Sequence, residues 1–95
     1  MLFALICTDK PNHVHVRQEA RPAHVRFLEG LGDQLKAAGP FVNDEDIPVG
    51  SLVIIEAENR AAAEAISAQD PYAEVGLFDT VEIRPWKWLI KPPSE

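Results

Sequence analysis

Ser51-Leu52-Val53-Ile54-Ile55-Glu56, then Ala57-Glu58-Asn59, then the run from Arg60 to Gln69 that meets Asp70-Pro71-Tyr72, decides the fold. Leu52 to Ile55 are apolar without interruption, which reads as a strand buried on both faces and therefore central in its sheet. Asn59 is a good N-cap for an alanine-rich helix over Arg60 to Gln69, with Ala62, Ala65, Ile66 and Gln69 predicted on its inner face. Pro71 ends that helix, because the residue before a proline is pushed out of the α region. Asp70 thus stands at a helix C-terminus, where the negative end of the dipole disfavours a carboxylate. A partner accounts for an acid there better than solubility does.

Working outward, the first half repeats this order of elements. Leu2 to Thr8 is apolar on both faces and reads as a second central strand. After a break at Asp9-Lys10-Pro11-Asn12 and a polar connection through His13, His15 and Arg17, a helix is predicted from Arg21-Pro22 to Gly39-Pro40. Its apolar stripe is Phe27, Leu28, Leu31, Leu35 and Ala38, and His24 falls on the same stripe one turn earlier. Phe41-Val42 is a short strand, and Asn43 to Gly50 an acidic hairpin connection. A last strand runs from Phe78 to Ile83, beyond which Trp86, Trp88 and Ile90 share a face by alternation. The sum is β-α-β-β-α-β, a ferredoxin-like α+β fold. Right-handed crossovers lay its two helices antiparallel on one face of an antiparallel sheet. The start of the first helix then lies beside the end of the second, which brings His24 toward Asp70.

Ninety-five residues, 46% hydrophobic and 25% charged, predict one globular domain over residues 1–95. So small a domain gains stability by pairing with a second copy, so a homodimer is expected. A net charge of −6 argues against nucleic acid or an anionic membrane as partner, while leaving room for a small anion held by a local arginine. No apolar run approaches membrane-spanning length, and the first seven residues lack the basic flank of a secretory leader. A cytoplasmic protein is expected. The single Cys7, inside the first strand, reads as a small buried hydrophobe.

A carboxylate bonded to one imidazole nitrogen fixes the tautomer and frees the other nitrogen to take or give a proton. His24 and Asp70 are therefore the catalytic candidates, suited to proton abstraction, water activation or elimination. The same pair serves equally well as a structural staple between two helices. Arg21 and Tyr72 are candidate substrate contacts, and Arg17 is either an anion holder or an ordinary solvated charge. Ser51 and Ser67 are not in a nucleophile-elbow context. His13 and His15 lie on one side of an extended segment, but no third ligand besides His24 is evident, so no metal or other cofactor is expected. Asp44-Glu45-Asp46 lacks the spacing of a calcium loop and reads as a solvated hairpin tip. The face of Trp86 and Trp88 reads as core or subunit interface.

Arg21-Pro22-Ala23-His24 with Phe27-Leu28, Ala38-Gly39-Pro40, Gly50-Ser51, Asp70-Pro71-Tyr72 with Gly76-Leu77-Phe78, and Glu82-Ile83-Arg84-Pro85-Trp86 together resemble the YciI-like (YCII-related) family. The resemblance spans nearly the whole chain. It implies a dimeric α+β barrel in which two ferredoxin-like subunits pack sheet against sheet, with an active-site pair that maps onto His24 and Asp70. Dechlorinating relatives use a serine shortly after the Asp-Pro pair; Ala73 and Glu74 stand there in this chain, so the resemblance does not extend to dehydrochlorination. Two functions are carried forward. One is cofactor-independent lyase- or isomerase-type acid–base chemistry on a small anionic or aromatic metabolite. The other is a non-catalytic ligand-binding or accessory domain.

Overall fold

A computed structural model describes residues 1–93. The chain runs β1 (Leu2–Asp9), α1 (Val14–Gly30), a 3-10 turn (Gly32–Gln34), β2 (Leu35–Val42), β3 (Pro48–Glu56), α2 (Arg60–Ala68), a short α3 (Pro71–Glu74) and β4 (Phe78–Trp86). The four strands form one sheet in the order β2-β3-β1-β4, every pair antiparallel. This is the ferredoxin-like order, with the two most apolar strands, β1 and β3, at the centre as expected.

The register sorts the strand residues into two faces. Phe3, Leu5 and Cys7 lie opposite Ile55, Val53 and Ser51, and this face packs against Leu28 and Leu31 of the α1 end and Ala62, Ala63 and Ile66 of α2. Phe3, Ile55 and Ala63 are fully buried there. The other face carries no helix in the core cluster; it is apolar at its centre, with Ala4 opposite Ile54, Ile6 opposite Leu52, Leu2 opposite Trp86 and Phe41 opposite Gly50, while Arg84 and Glu82 of β4 stand opposite Ala4 and Ile6. Gly50 is forced at its position, because a Cβ there would stand 2.4 Å from the Cys7 carbonyl oxygen of the neighbouring strand.

Several boundaries differ from the sequence expectation. The first helix is α1, Val14–Gly30, not Arg21 to Gly39, so His15 and Arg17 lie on it and His13 caps it. Pro22 is inside the helix rather than opening it; its side is exposed, where water can bond the carbonyl that its missing N–H leaves free. The helix stops just before Gly32, whose φ of 58° only glycine adopts without strain. Leu35 and Ala38 consequently belong to edge strand β2, and the Gly39-Pro40 pair taken for a helix stop is strand, tolerated because an edge needs no donor from every residue.

Asn59 caps α2 as expected, accepting from the Ala62 N–H at 2.8 Å. The buried stripe of α2 is Ala63 and Ser67, flanked by Ala62 and Ile66, whereas Ala65 and Gln69 face solvent. The polar Ser67 masked the true phase of that helix. The last strand reaches Trp86, and Ile90 lies beyond it at 81% exposure, so alternation does not carry through to that residue. Trp86 and Trp88 still meet, with ring centroids 5.4 Å apart. In the β2–β3 connection, Asn43 Oδ1 accepts from the N–H groups of Glu45 and Ile47, closing the acidic tip as a side-chain-capped turn.

Candidate functional site

Asp70 ends α2 and begins α3. Its backbone is extended (φ −62°, ψ 127°), Pro71 takes the first helical position, and Oδ1 accepts from the Tyr72 N–H at 2.9 Å. An acid that is ill placed for the dipole of α2 is thus well placed for α3. The same Oδ1 lies 2.9 Å from His24 Nδ1. An ionised carboxylate only accepts, so Nδ1 is the donor, and in the neutral imidazole Nε2 carries the lone pair. His24 sits in the middle of α1 rather than in its first turns, and the α2–α3 junction, not the end of α2 alone, brings Asp70 to it.

Tyr72 is the most deeply buried large side chain near the pair, at 1% exposure, and not a rim aromatic. Its ring stacks on His24 with centroids 3.9 Å apart and planes 16° apart. The Arg17 guanidinium carbon lies 4.6 Å from the same ring's centroid. Arg17 and His24 are seven residues apart on α1, which puts them on one helix face about 10 Å apart along the axis. Both reach the Tyr72 ring. Burial pushes the Tyr72 hydroxyl above its ordinary value, with Asp70 adding to the effect and Arg17 and Arg21 opposing it. At neutral pH Tyr72 is a phenol, able to donate.

Arg17 is the residue that sequence reasoning undervalued. Its Nε and Nη2 donate to the two oxygens of Asp9 at 2.7 and 2.8 Å, and Nη2 also donates to Ser51 Oγ at 2.9 Å. The side chains of Arg17 and Asp9 are only 7% and 5% exposed. Burial pulls the guanidinium pKa down, but the bonds to Asp9 and its charge outweigh that, and the net direction is up. Placing the helix start at Val14 would have exposed the signal: Arg17, Arg21, His24 and Leu28 then fall at i, i+4, i+7 and i+11, one continuous stripe.

That stripe forms one wall of a cavity of about 250 Å³ between α1 and the β2–β3 edge, with Pro40, Ser51 and Val53 on the sheet side and Tyr72 beside His24. Among the described residues no buried side-chain nitrogen or oxygen lacks a hydrogen-bond partner. Among the described residues His24 Nε2 finds none, and Arg17, with Nε and Nη2 held by Asp9 and Ser51, is left with Nη1 in reach of the Tyr72 hydroxyl. Both residues line the cavity. Arg21 lines it too, as an exposed cation.

Cys7 lies opposite Ser51 in the sheet. Burial, and then the charge of Asp70, pushes its thiol up to about 12, so it stays protonated and is no nucleophile at neutral pH. Ser67 is buried in the α2 stripe. His13 and His15 lie outside the cavity with ring centroids 6.0 Å apart, and His13 Nδ1 donates to the Pro11 carbonyl. Among the described residues no three His, Cys, Asp or Glu side chains are placed to hold a metal ion, and no helix is long and apolar enough to cross a membrane.

Comparison with known proteins bears on the family and the fold. The family model of the YCII-related domain matches residues 1–87. Protein YciI of Escherichia coli O6:H1 is 36% identical over 92% of this chain and 97% of its own length. A Haemophilus influenzae protein without an assigned function is 35% identical over the same shares. Among solved structures, the 5-chloro-2-hydroxyhydroquinone dehydrochlorinase TftG from Burkholderia phenoliruptrix AC1100, in complex with 2,5-dihydroxybenzoquinone, superposes with a TM-score of 0.84. It is 30% identical, over 92% of this chain and 94% of that one. A NIPSNAP family protein from Agrobacterium tumefaciens strain C58 shares the fold alone, with a TM-score of 0.59 and 15% identity over 99% of this chain and 97% of that one.

Proposed function

The chain belongs to the YCII-related family, and from that premise we propose that it is an enzyme of small-molecule metabolism in which His24 moves a proton. Nε2 of His24 is the acid–base atom, Asp70 holds the imidazole through Nδ1, and Arg21 and Tyr72 contact the substrate. The observation that carries this reading is the pairing of a buried His24–Asp70 hydrogen bond with an Nε2 that opens into a cavity. A staple needs the first and not the second.

Cavity size narrows the substrate. A dry cavity of about 150 Å³ is enough for benzene, so 250 Å³ suits one substituted ring. The walls, apolar on the sheet side with two arginines and a phenol on the other, suit a planar anionic or aromatic compound. That the related TftG acts on a chlorinated hydroquinone supports the same size class. The chemistry is of the lyase or isomerase type and calls on no cofactor. Dehydrochlorination is not part of the proposal, because Ala73 and Glu74 follow Asp70-Pro71.

The second reading, a binding or accessory domain, draws on one observation: Oδ1 of Asp70 also caps α3, a structural task in its own right. Solvent exchange separates the two. A panel of ring ketones, phenols and hydroxyquinones, including 2,5-dihydroxybenzoquinone, is incubated with protein in deuterated water and followed by proton NMR. The enzyme reading expects deuterium incorporation into, or elimination from, at least one compound, reduced about 10²–10⁴-fold in His24→Asn. Exchange with no compound, or equal exchange by His24→Asn, favours the binding domain.

The working unit is proposed to be a cytoplasmic homodimer paired through the helix-free sheet face. Support comes from the apolar row Ala4, Ile6, Leu52 and Ile54 on that face, with Phe41 and Trp86 exposed at its margins. A lone buried thiol suits a reducing compartment.

A further inference from the structure

Two side chains lining the cavity keep a nitrogen that Asp9, Ser51 and Asp70 do not take, and the proposed acid–base chemistry uses only one of these nitrogens. The other is Nη1 of Arg17. Its guanidinium is gripped by Asp9 and Ser51 through Nε and Nη2, which fixes the direction of Nη1, and the Tyr72 hydroxyl in its reach takes at most one of its two hydrogens. The side chain is buried and cannot swing out to solvent. A rigid, buried donor at a cavity wall is what a developing negative charge on oxygen requires, since no reorganisation is needed when the charge appears.

We propose that Arg17 Nη1 is an oxyanion subsite, taking the carbonyl oxygen of a ring compound that becomes an enolate when His24 Nε2 removes a proton from a conjugated carbon. This deepens the reading of His24 given above and rests on it. The electrons balance without any redox partner. The proton passes from carbon to Nε2, the C–H pair forms a carbon–carbon double bond, the π pair of the intervening ring double bond moves one bond toward the carbonyl, and the carbonyl π pair moves onto the oxygen that Nη1 holds. Return of the proton from the imidazolium to another carbon completes an isomerisation.

Charge and spacing both favour a carbonyl over a phosphate. Arg17 is matched by Asp9, and Asp70 balances Arg21, so with neutral His24 the site holds no surplus positive charge for a multiply charged anion. A carbonyl oxygen enters at little electrostatic cost, and the single charge of the enolate appears as His24 becomes a cation. The Tyr72 ring between Arg17 and His24 sets their separation, so the oxygen and the reacting carbon belong on different sides of one small ring rather than on adjacent atoms. The Tyr72 hydroxyl, within hydrogen-bonding reach of the Arg17 guanidinium, adds a donor along that path.

The test uses 4-nitrophenolate as a stable mimic of the enolate and 4-nitroanisole as its uncharged counterpart, with binding followed by absorbance at alkaline pH. Wild type is expected to bind the phenolate at least about tenfold tighter than the ether. The double variant Asp9→Asn with Arg17→Gln, which strands no charge, loses that preference while keeping its affinity for the ether. Arg17 side-chain nitrogen resonances of the wild type, which need no variant, are expected to shift with phenolate and not with ether. No phenolate preference in wild type, an unchanged preference in the double variant, or unmoved Arg17 resonances would each overturn the subsite. Deuterium exchange lost in His24→Asn would meanwhile leave the acid–base reading intact, so the two can fail separately.

Discussion

Replacing Asp9 by asparagine should be among the most destabilising single changes in this molecule. Asp9 makes two short bonds, 2.7 and 2.8 Å, to a guanidinium that is 7% exposed. Breaking a buried pair by removing one partner costs about 3–5 kcal/mol, because the remaining charge is stranded. Asparagine keeps one acceptor oxygen but turns an amide donor toward a guanidinium donor, so the lower end, about 3 kcal/mol, applies. A domain of this length has roughly 5–14 kcal/mol in total, and about 3 kcal/mol lowers Tm by roughly 12–24 °C. Urea unfolding and thermal circular dichroism measure both quantities. Asp9→Leu combined with Arg17→Met removes the pair without stranding a charge and should be more stable than Asp9→Asn alone. A loss below about 1 kcal/mol in Asp9→Asn, the range of exposed ion pairs, would refute the claim that Arg17 is held rigidly in a buried setting.

Three further expectations follow from individual contacts. Asp70→Ala removes the cap of α3 along with the partner of His24, so its loss, read by urea unfolding, should exceed the usual 0.5–2 kcal/mol of a missing cap, roughly. Gly50→Ala drives a methyl into the Cys7 carbonyl of a central strand and should cost about 1–3 kcal/mol in the same assay. Cys7 is a group whose folded pKa, about 12, lies above its ordinary value of 9.0. Its contribution is therefore full below the unfolded value and fades as pH rises toward the folded one. Wild type should lose stability between these two pH values more steeply than Cys7→Ala, and parallel curves would contradict the burial of the thiol.

The sheet was legible because β1 and β3 are uninterrupted apolar runs, a pattern that few other local structures produce. Helix α1 was misplaced because its strongest punctuation misleads: Arg21-Pro22 looks like an opening and Gly39-Pro40 like a stop, while the real stop is the unobtrusive Gly32. His24 and Asp70 are nonetheless legible as candidates, since the topology sets the two helices side by side and a seven-residue, two-turn shift along α1 leaves His24 on the same inward face. Arg17 was left undecided for the same reason that α1 was misplaced, as a residue assigned to a connection has no face. Its partner Asp9 sits at a strand end, and no local pattern announces a bond between strand and helix residues.

The central claim is that His24 carries its proton on Nδ1 toward Asp70 and keeps the Nε2 lone pair for a ligand in the cavity. Long-range proton–nitrogen correlation NMR of the histidine rings, above about pH 8 where an unperturbed imidazole is neutral, reads that tautomer directly. Nδ1–H is expected for His24 in the wild type, with a loss of this preference in Asp70→Asn. A His24 ring protonated on Nε2, or one that keeps its tautomer when Asp70 is neutralised, would contradict it.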